Sequence, residues 1–553
     1  MGNDSSHHAF QSPTKPTNSL VTPLLTDLYQ ITMAYGYWKT NRHNDHAVFE
    51  LFFRKNPFQG EYTVFAGIDE CLKYLSNFRF TKEDIDYLKT VPALQRCEPE
   101  FFYYLSILDC KSAGLTIRAM KPGTLVFPRE PLLVISGPLL LAQLLETTFL
   151  NLVNFPSLIA TNASRMVIAA RGQYGDQRVN GKIPKLAEFG LRRAQGPDGG
   201  FSASKYSILG GFDATANVIA GQLLNVPITG THAHAFVMSY SNLDEVSRLT
   251  VKSLKNGQDI NLLDRVLKYR EITSWTHTND GELAAFLAYG VAFPDGFLCL
   301  VDTYDTLESG VKNFILVALA LHECGYNARG IRLDSGDLAS LSLSCRKMFN
   351  EIAEKFSLDF FRHLDIVASN DLNEEVIHQL NKQGHSITLF GIGTNLVTCQ
   401  AQPALGCVYK LVELNGIPRI KLSNDIVKVL IPGEKKIFRF FDGNGSPQMD
   451  LMMAHDENAP QVGTTVSYIN PFGNGNTDEI IPHEVEELLH VVWDRHGSVD
   501  IPSLDESRKT CLDGIKKFPS NLFSVQNAEP YPVNVSLKLY DELQSLWQSS
   551  LQH

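Results

Sequence analysis

Residues 332–337 read Arg332-Leu333-Asp334-Ser335-Gly336-Asp337, and this stretch decides the fold because it marks a change from strand to helix. An apolar run of strand character at 330–333 precedes the turn, and a helical pattern at 338–356 follows it. Glycine permits the turn, and a serine or aspartate can cap the helix. One cation and two carboxylates thus stand at a predicted strand end, where α/β proteins place their chemistry. A capped turn with a surface ion pair is the alternative.

The same alternation of strand and helix extends through the chain after Pro184. The predicted strands are 185–189, 226–229, 296–301, 330–333, 364–368, 386–391 and 408–414. The predicted helices are 214–224, 311–323, 338–356 and 374–383. This order predicts an α/β fold with parallel strands, for which a (β/α) barrel is the economical closure and a doubly wound open sheet the alternative.

A chain of 553 residues is too long for one core, so we expect several domains. The expected segments are a disordered tail at 1–20, an N-terminal α+β domain with connecting helices at 21–183, the α/β barrel at 184–404 with a polar insertion at 241–280, and a C-terminal β-hairpin and helical region at 405–553. Asn415-Gly416 and Asn444-Gly445 each predict a hairpin. Further helices are expected at 139–170, interrupted at Pro156, and at 482–490 and 535–546.

Composition excludes several classes of protein. With 49 basic and 60 acidic side chains the net charge is -11, which argues against nucleic-acid binding but permits a local basic pocket. The nine scattered cysteines form no C-x-x-C pair, which favours a reducing compartment, the cytoplasm, over a disulfide framework or zinc site. No stretch predicts a membrane span. The match to an N-myristoylation pattern at Gly2 has no basic cluster beside it, which favours chance.

Other predicted strand ends also carry polar groups. The loop at 188–200 combines Arg192 and Arg193 with glycines, which suits a bound anion, although a flexible surface loop is the alternative. The segment at 230–236 contains His232 and His234, of which one is favoured as a nucleophile, base or phosphate ligand over a metal-binding pair. The carboxylates of segment 302–306 suit a cation or a sugar, and helix capping is the alternative.

The turn Gly391-Ile392-Gly393-Thr394 exposes backbone N–H groups and a hydroxyl, which suits phosphate, although it matches neither a Walker loop nor G-x-G-x-x-G. Together, the strand ends offer cations and amides for phosphates and carboxylates for Mg²⁺. No Ser-His-Asp, Cys-His or H-E-x-x-H signature is present in the sequence. The residues alone therefore predict a phosphorylated-sugar enzyme with a divalent cation.

Six motifs in chain order make the prediction more specific. They are Thr26-Asp27-Leu28-Tyr29-Gln30-Ile31-Thr32-Met33, the loop at 188–200, Gly210-Gly211-Phe212-Asp213, Gly230-Thr231-His232-Ala233-His234, the stretch 332–337 and the turn 390–394. In this set the chain resembles the nicotinate phosphoribosyltransferases, which are type II phosphoribosyltransferases. The resemblance implies an irregular α/β barrel with an N-terminal domain, and a homodimer with active sites shared between subunits.

The resemblance also implies a reaction. Nicotinate and phosphoribosyl pyrophosphate give nicotinate mononucleotide and pyrophosphate, driven by ATP hydrolysis to ADP and phosphate, as the first step of NAD synthesis from nicotinic acid. The expected cofactor is Mg²⁺ or Mn²⁺, with ATP as a co-substrate.

The implied site residues fall into three groups. His234, Arg332 and Asp334 are catalytic, and His234 is transiently phosphorylated. Tyr29 of the partner subunit, Thr231 and Arg332 bind nicotinate. Arg192, Gly391, Gly393 and Thr394 bind phosphoribosyl pyrophosphate. The metal ligands stay open, as do the roles of His232 and of Asp371, which stands where some relatives carry asparagine. Asp337 is expected to start a helix.

Three alternatives remain at this stage. A nicotinamide phosphoribosyltransferase shares the barrel and the Arg-x-Asp-Ser-Gly-Asp pattern, but the motif at 26–33 and Gly230-Thr231 favour the acid. An isomerase or aldolase on a similar barrel requires a Schiff-base lysine or an enediol base, and no such residue stands out. A non-catalytic binding protein is disfavoured by the intact strand ends.

Overall fold

The structure is a computed structural model that describes residues 15–421, 429–524 and 527–551. The chain forms two compact units. One consists of the described residues up to Thr161 together with those from Gln402 onward, and the other is Asn162–Ala401. Residues 1–14 of the expected tail, including the pattern match at Gly2, lie outside the described residues.

The unit Asn162–Ala401 is built on a six-stranded sheet. Its strands are β1 (Lys185–Glu188), β2 (Ala214–Thr215), β3 (Leu298–Leu300), β4 (Gly330–Leu333), β5 (Asp365–Ala368) and β6 (Leu389–Ile392). Their order is β3-β4-β5-β6-β1-β2, and every neighbouring pair is parallel. Strand pairing leaves the sheet open between β3 and β2, so the predicted barrel is irregular and is not closed by backbone hydrogen bonds among the described residues.

Helices cover this sheet. The longer ones are Gly196–Leu209, Val218–Leu224, Leu262–Thr273, Asp280–Ala292, Val311–Glu323, Leu338–Phe356 and Glu374–Gln383, and short ones are His234–Met238 and Thr394–Thr398. Helix Val311–Glu323 is apolar from Phe314 to Leu321 and lies in the core, where Phe314 stacks on Phe297 with ring centroids 5.2 Å apart. Residues 241–280 contribute to this core through Val251, Leu262 and Val266.

Asp337 starts helix Leu338–Phe356, as expected. Its carboxylate accepts a hydrogen bond from Ser340 N at 3.1 Å, and Ser357 ends the helix in the left-handed conformation at φ 56°. The fixed helix start holds the turn at 334–336 at the end of β4.

Two strand predictions need correction. Residues 226–229 form no strand, because Pro227 has no N–H to donate; Ile228 makes a single parallel bridge to Thr215 instead. Strand Cys407–Leu414 exists but lies outside the barrel sheet, where it pairs antiparallel with His46–Phe53. Strands Cys407–Leu414 and His46–Phe53 are apolar over most of their length, and this local pattern does not indicate with which strand each one pairs.

The other unit contains two larger sheets. The first, with only antiparallel pairs, runs in the order Ile417–Pro418, Cys407–Leu414, His46–Phe53, Leu133–Pro138, Thr116–Ala119, His490–Asp494 and Gly497–Ser498. The second runs in the order Thr477–Ile480, Val466–Ile469, Val533–Ser536, Pro447–Ala454, Lys435–Phe441 and Glu484–Glu487. The hairpin at Asn415-Gly416 is confirmed, with φ of 52° and 74° at its two central residues.

The helices of this unit are mostly short. They are Leu28–Lys39, Ile68–Ser76, Lys82–Thr90, Pro99–Ser106, Leu139–Leu144, Leu504–Lys517 and Leu537–Leu551, and helix Glu146–Arg171 contains the boundary between the units. The predicted interruption at Pro156 is wrong, because the helix continues through it between buried residues such as Val153 and Leu158. The helix predicted at 482–490 is also wrong: pairing with Lys435–Phe441 makes Glu484–Glu487 a strand. Among the described helices, none is long and apolar enough to cross a membrane.

Candidate active site

A cavity of about 940 Å³ opens where the segments after β1, β2, β4, β5 and β6 meet. The residues predicted for the site from this unit line it, namely Arg192, Thr231, His234, Arg332, Asp334, Gly391, Gly393 and Thr394. His232 and Asp371 line it as well. Tyr29 belongs to the other unit, where its side chain is half exposed on helix Leu28–Lys39. The strand ends therefore meet at one place, as their positions predict.

Arg332 is the best-defined cation of the cavity. It lies on β4, and its Nη1 donates a hydrogen bond to Thr231 Oγ1 at 2.9 Å. Burial lowers the pKa of the guanidinium, and the nearby carboxylates of Asp334 and Asp302 oppose this shift. Nε is buried and has no hydrogen-bond partner among the described residues. The side chain is half-buried and lines the cavity, so the N–H groups of the guanidinium that face the cavity retain donor capacity for an anionic ligand.

Asp302 holds the turn after β4. One of its carboxylate oxygens accepts from the N–H of Asp334 at 2.8 Å and from the hydroxyl of Ser335 at 2.5 Å. Ser369, at the end of β5, donates to the carboxylate of Asp334. Three strand ends are thereby connected, and the Asp334 carboxylate is fixed. For the carboxylates of segment 302–306 the sequence predicted a cation, a sugar or a helix cap, and not this contact with the turn after β4. A serine after a strand gives no signal of its own.

His234 is oriented from two sides. Its Nδ1 lies 3.1 Å from Thr303 Oγ1, and its Nε2 lies 3.7 Å from an oxygen of Asp334. The helical turn Thr306–Gly310, which follows β3, is capped by Asp305, whose carboxylate accepts from the N–H groups of Leu307 and Glu308. Thr303 is therefore not needed as a cap. The imidazole therefore faces the cavity in a defined orientation next to a carboxylate.

His232 has a different environment from His234. Its Nε2 accepts a hydrogen bond from the N–H of Leu300 at 3.3 Å, and its ring packs against Phe236, Phe286 and Tyr289. Burial lowers its pKa to about 4, so the ring is neutral at physiological pH. The two histidines contact different partners, and their geometry does not form a shared metal site.

A buried carboxylate holds the arginine loop. Glu188, at the end of β1, accepts hydrogen bonds from Ser204 Oγ at 2.9 Å, from Thr215 Oγ1 at 2.6 Å and from the N–H of Gly190. The loop then forms a 3₁₀ turn, Leu191–Arg193, in which both arginines are exposed. The segment is therefore an ordered turn that presents two cations at the cavity.

The glycine turn after β6 requires glycine for steric reasons. A Cβ at position 391 would overlap the ring of Phe189, and one at 393 would lie 3.3 Å from the carbonyl oxygen of Phe189. The ends of β1 and β6 thus approach each other closely at the cavity. Thr394, at the start of helix Thr394–Thr398, is exposed beside this turn. Its hydroxyl and the neighbouring amides suit phosphate oxygens.

Models of three parts of one protein family match the chain. They describe the nicotinate phosphoribosyltransferase N-terminal domain at residues 24–154, the nicotinate phosphoribosyltransferase family at 184–439 and the C-terminal domain at 434–543. A nicotinate phosphoribosyltransferase of Dictyostelium discoideum is 51% identical over 545 residues, which are 97% of this chain and 90% of the relative. The chain belongs to the nicotinate phosphoribosyltransferase family.

Further relatives of this family agree. Nicotinate phosphoribosyltransferase 1 of Arabidopsis thaliana is 49% identical, with 96% of this chain and 95% of the relative covered. The crystal structure of human nicotinic acid phosphoribosyltransferase superimposes with a TM-score of 0.83 at 39% identity, and covers 94% of this chain and 99% of that chain. The predicted family and the predicted fold are therefore confirmed.

The resemblance to the nicotinate phosphoribosyltransferases implies a divalent cation. Among the described residues, no group of three or more His, Cys, Asp and Glu side chains could hold a metal ion. Asp334 and Asp371 line the cavity, and Mg²⁺ is commonly bound by one or two carboxylates together with substrate phosphates. Asn370 and Asp371 both have left-handed backbones, with φ of 81° and 47°. These residues fit a cation bound largely by the substrate.

Proposed function

We propose that this chain transfers the phosphoribosyl group of phosphoribosyl pyrophosphate to the ring nitrogen of nicotinate. The products are nicotinate mononucleotide and pyrophosphate, and hydrolysis of ATP to ADP and phosphate is coupled to the transfer. This reaction would be the first step of NAD synthesis from nicotinic acid. The observation that carries the proposal is Arg332, a half-buried cation with donor capacity left, in a cavity that also presents Arg192 and the Gly391–Thr394 turn.

Arg332 explains the preference for an acidic pyridine. Its planar guanidinium matches the two oxygens of a carboxylate, and Thr231 fixes its orientation. An amide in the place of the carboxylate would add no negative charge from the substrate and would offer only one acceptor oxygen to the guanidinium. This argument favours nicotinate over nicotinamide.

The transfer itself needs little proton chemistry. The pyridine nitrogen has a free lone pair at neutral pH, so no general base is required for attack at ribose C1. As the new N–C bond forms, the C–O bond to pyrophosphate breaks, and negative charge collects on the leaving group. Arg192 and the amides of the Gly391–Thr394 turn suit that charge, and one preorganised donor typically contributes about 3–4 kcal/mol. A divalent cation held by Asp334 or Asp371 would supply further charge stabilisation.

We propose His234 as the residue that takes the γ-phosphoryl group of ATP. An N–P bond forms as the bond between the γ-phosphorus and the bridging oxygen breaks and ADP leaves, and water later cleaves the N–P bond to give phosphate. The contacts with Thr303 and Asp334 support this role because they orient the ring and counter a positive charge on it.

The remaining proposals concern assembly and location. We propose a homodimer in which Tyr29 of one subunit binds nicotinate in the active site of the other; the half-exposed ring of Tyr29 is compatible with this role. We propose the cytoplasm as its location, because all nine cysteines are unpaired.

One assay tests the proposed function. Pyrophosphate release from phosphoribosyl pyrophosphate is measured with nicotinate or nicotinamide, each with and without ATP and with Mg²⁺ or Mn²⁺. We expect release with nicotinate and stimulation by ATP. Release with nicotinamide alone would favour the amide-specific enzyme, and no release with either base would overturn the proposal.

A further inference from the structure

The β-sheet of the barrel has a gap between its two edges, and His232 spans it. On one edge, Ile228 makes its single bridge to Thr215 of β2. On the other edge, the N–H of Val301 bonds to the carbonyl of Arg332, so the N–H of Leu300 in β3 faces away from β4. The ring nitrogen Nε2 of His232 accepts that N–H at 3.3 Å. A side chain thus takes the place of a carbonyl from a missing strand.

Thr231, the residue before His232, connects this segment to Arg332. The hydroxyl of Thr231 lies 3.4 Å from the carbonyl oxygen of His232, to which it donates, and it accepts from Arg332 Nη1 at 2.9 Å. Leu300 and Arg332 are direct partners in the β3–β4 pairing. The segment 231–232 is therefore attached to two residues that pair with each other in the sheet. His232 bonds to Leu300 of β3, and Thr231 bonds to Arg332 of β4.

We propose that His232 is a positioning residue for nicotinate: its bond to Leu300 holds Thr231 in place, and Thr231 in turn fixes the guanidinium of Arg332. This inference rests on the proposed function. Three aromatic rings pack against His232 and hold its ring beside Leu300, which is itself buried. The pKa of His232 is lowered mainly by burial; a backbone hydrogen bond with Ala233 opposes this shift, and Arg332 and His234 add to it, so Nε2 keeps the lone pair with which it accepts.

A set of variants separates positioning from stability. His232→Leu removes the acceptor, and His232→Gln retains an acceptor oxygen at a similar distance from the backbone. His385→Leu is the matched control, because Nδ1 of His385 accepts the backbone N–H of Ile387 at 3.0 Å but the ring does not line the cavity. Steady-state kinetics give KM for both substrates, and thermal unfolding gives Tm.

We expect His232→Leu to raise KM for nicotinate about tenfold, with KM for phosphoribosyl pyrophosphate changed by less than about twofold. His232→Gln should recover most of the nicotinate affinity. His385→Leu should lower Tm to a similar extent and leave both KM values unchanged. If His232→Leu lowers Tm but leaves KM for nicotinate unchanged, the residue is merely structural and the inference is overturned.

A double-mutant cycle tests the route through Thr231. Thr231→Val leaves the bond between His232 and Leu300 intact, and it should raise KM for nicotinate by a similar factor even if His232→Leu does not fold. The double variant should lose little more than either single variant, because both changes release the same guanidinium. The inference would be overturned if the double variant raised KM for nicotinate by the product of the two single factors, or if Thr231→Val left this KM unchanged. A wild-type enzyme without nicotinate-dependent pyrophosphate release would instead refute the proposed function.

Discussion

The guanidinium of Arg332 donates a hydrogen bond from Nη1 to the hydroxyl of Thr231 over 2.9 Å, although 101 residues separate them in the chain. The contact fixes the plane of the guanidinium, while the buried Nε keeps no partner among the described residues. A planar cation with a fixed orientation and unused donors is suited to a planar carboxylate. In the proposed function, specificity for an acidic pyridine depends on the orientation of Arg332 as well as on its charge.

Arg332→Lys should lower kcat/KM for nicotinate at least about thirtyfold. The ammonium keeps the positive charge but loses the planar fork, and loss of a buried charge-paired hydrogen bond typically costs about 2–5 kcal/mol. Steady-state kinetics with varied nicotinate measure the effect. The matched control is Arg346→Lys, since Arg346 is a buried arginine that donates to the backbone carbonyls of Arg362 and Leu364 and does not line the cavity. That control should lower Tm and leave KM unchanged, and near-normal turnover by Arg332→Lys would contradict the assignment.

His234→Ala should abolish the stimulation of the transfer by ATP while a basal transfer persists. The imidazole is the proposed phosphoryl acceptor, so acid-labile phosphate on the protein should disappear after incubation with ATP labelled in the γ-phosphate. Thr303→Val keeps the imidazole but removes the contact at Nδ1, and we expect about a tenfold smaller ATP stimulation. Acid-labile phosphate that persists in His234→Ala would assign the phosphoryl group to another residue.

Glu188→Gln should raise KM for phosphoribosyl pyrophosphate and also lower Tm. The buried carboxylate accepts three hydrogen bonds, and an amide NH₂ group cannot replace an acceptor oxygen, so at least one buried donor loses its partner at a cost of about 1–3 kcal/mol. Arg192→Ala is the comparison, because this exposed side chain should affect the KM without affecting Tm. An unchanged KM in Glu188→Gln would show that the arginine loop does not depend on this carboxylate.

The elements that the sequence predicted best are those with local signals. Helices Val311–Glu323, Leu338–Phe356 and Glu374–Gln383 have the predicted bounds. Their apolar periodicity lies within the segments, and the capping residues Asp337 and Asn373 directly precede two of them. The partner of strand Cys407–Leu414 could not be predicted in this way. It pairs with His46–Phe53, more than 350 residues away, and nothing local indicates that choice.

In the candidate site, too, the sequence predicted the features with a local signal and not the contacts between distant residues. Charged groups and glycines at strand ends are visible in the sequence, and the structure brings Arg192, His234 and Arg332 to one cavity. The sequence did not predict which residues orient these groups. Thr303 contacts His234, and Ser369 contacts Asp334, but threonine and serine are common residue types that give no signal of such a role. Such contacts depend on how strand ends meet in space. The roles of individual residues and the placement of Tyr29 in a dimer stay predictions.

The stability of the protein should depend on pH through Glu282, which lies in the core of the unit Asn162–Ala401. Its carboxylate accepts from Ser309 Oγ at 2.6 Å and from Asn313 Nδ2 at 3.0 Å, and its second oxygen is buried without a partner among the described residues. Burial is the largest cause that raises its pKa to about 7, and the charges of Asp305 and Asp302 add to it.

The native state therefore binds a proton more tightly than the unfolded state does, for which the pKa is about 4.5. The stability from this proton is fully present below about pH 4.5 and is lost as pH rises through about 7, by at most about 3 kcal/mol. Glu282→Gln resembles the protonated acid, and it has no proton to lose. The free energy of unfolding of the variant should therefore lack this dependence on pH. It should exceed that of the wild type at about pH 8 but not at about pH 5. Urea unfolding at both pH values measures it. Glu308→Gln is the control, because Glu308 is exposed and pairs with Lys312 at 2.6 Å. Equal pH dependence in the wild type and Glu282→Gln would mean that Glu282 is ionised in the folded protein throughout this range.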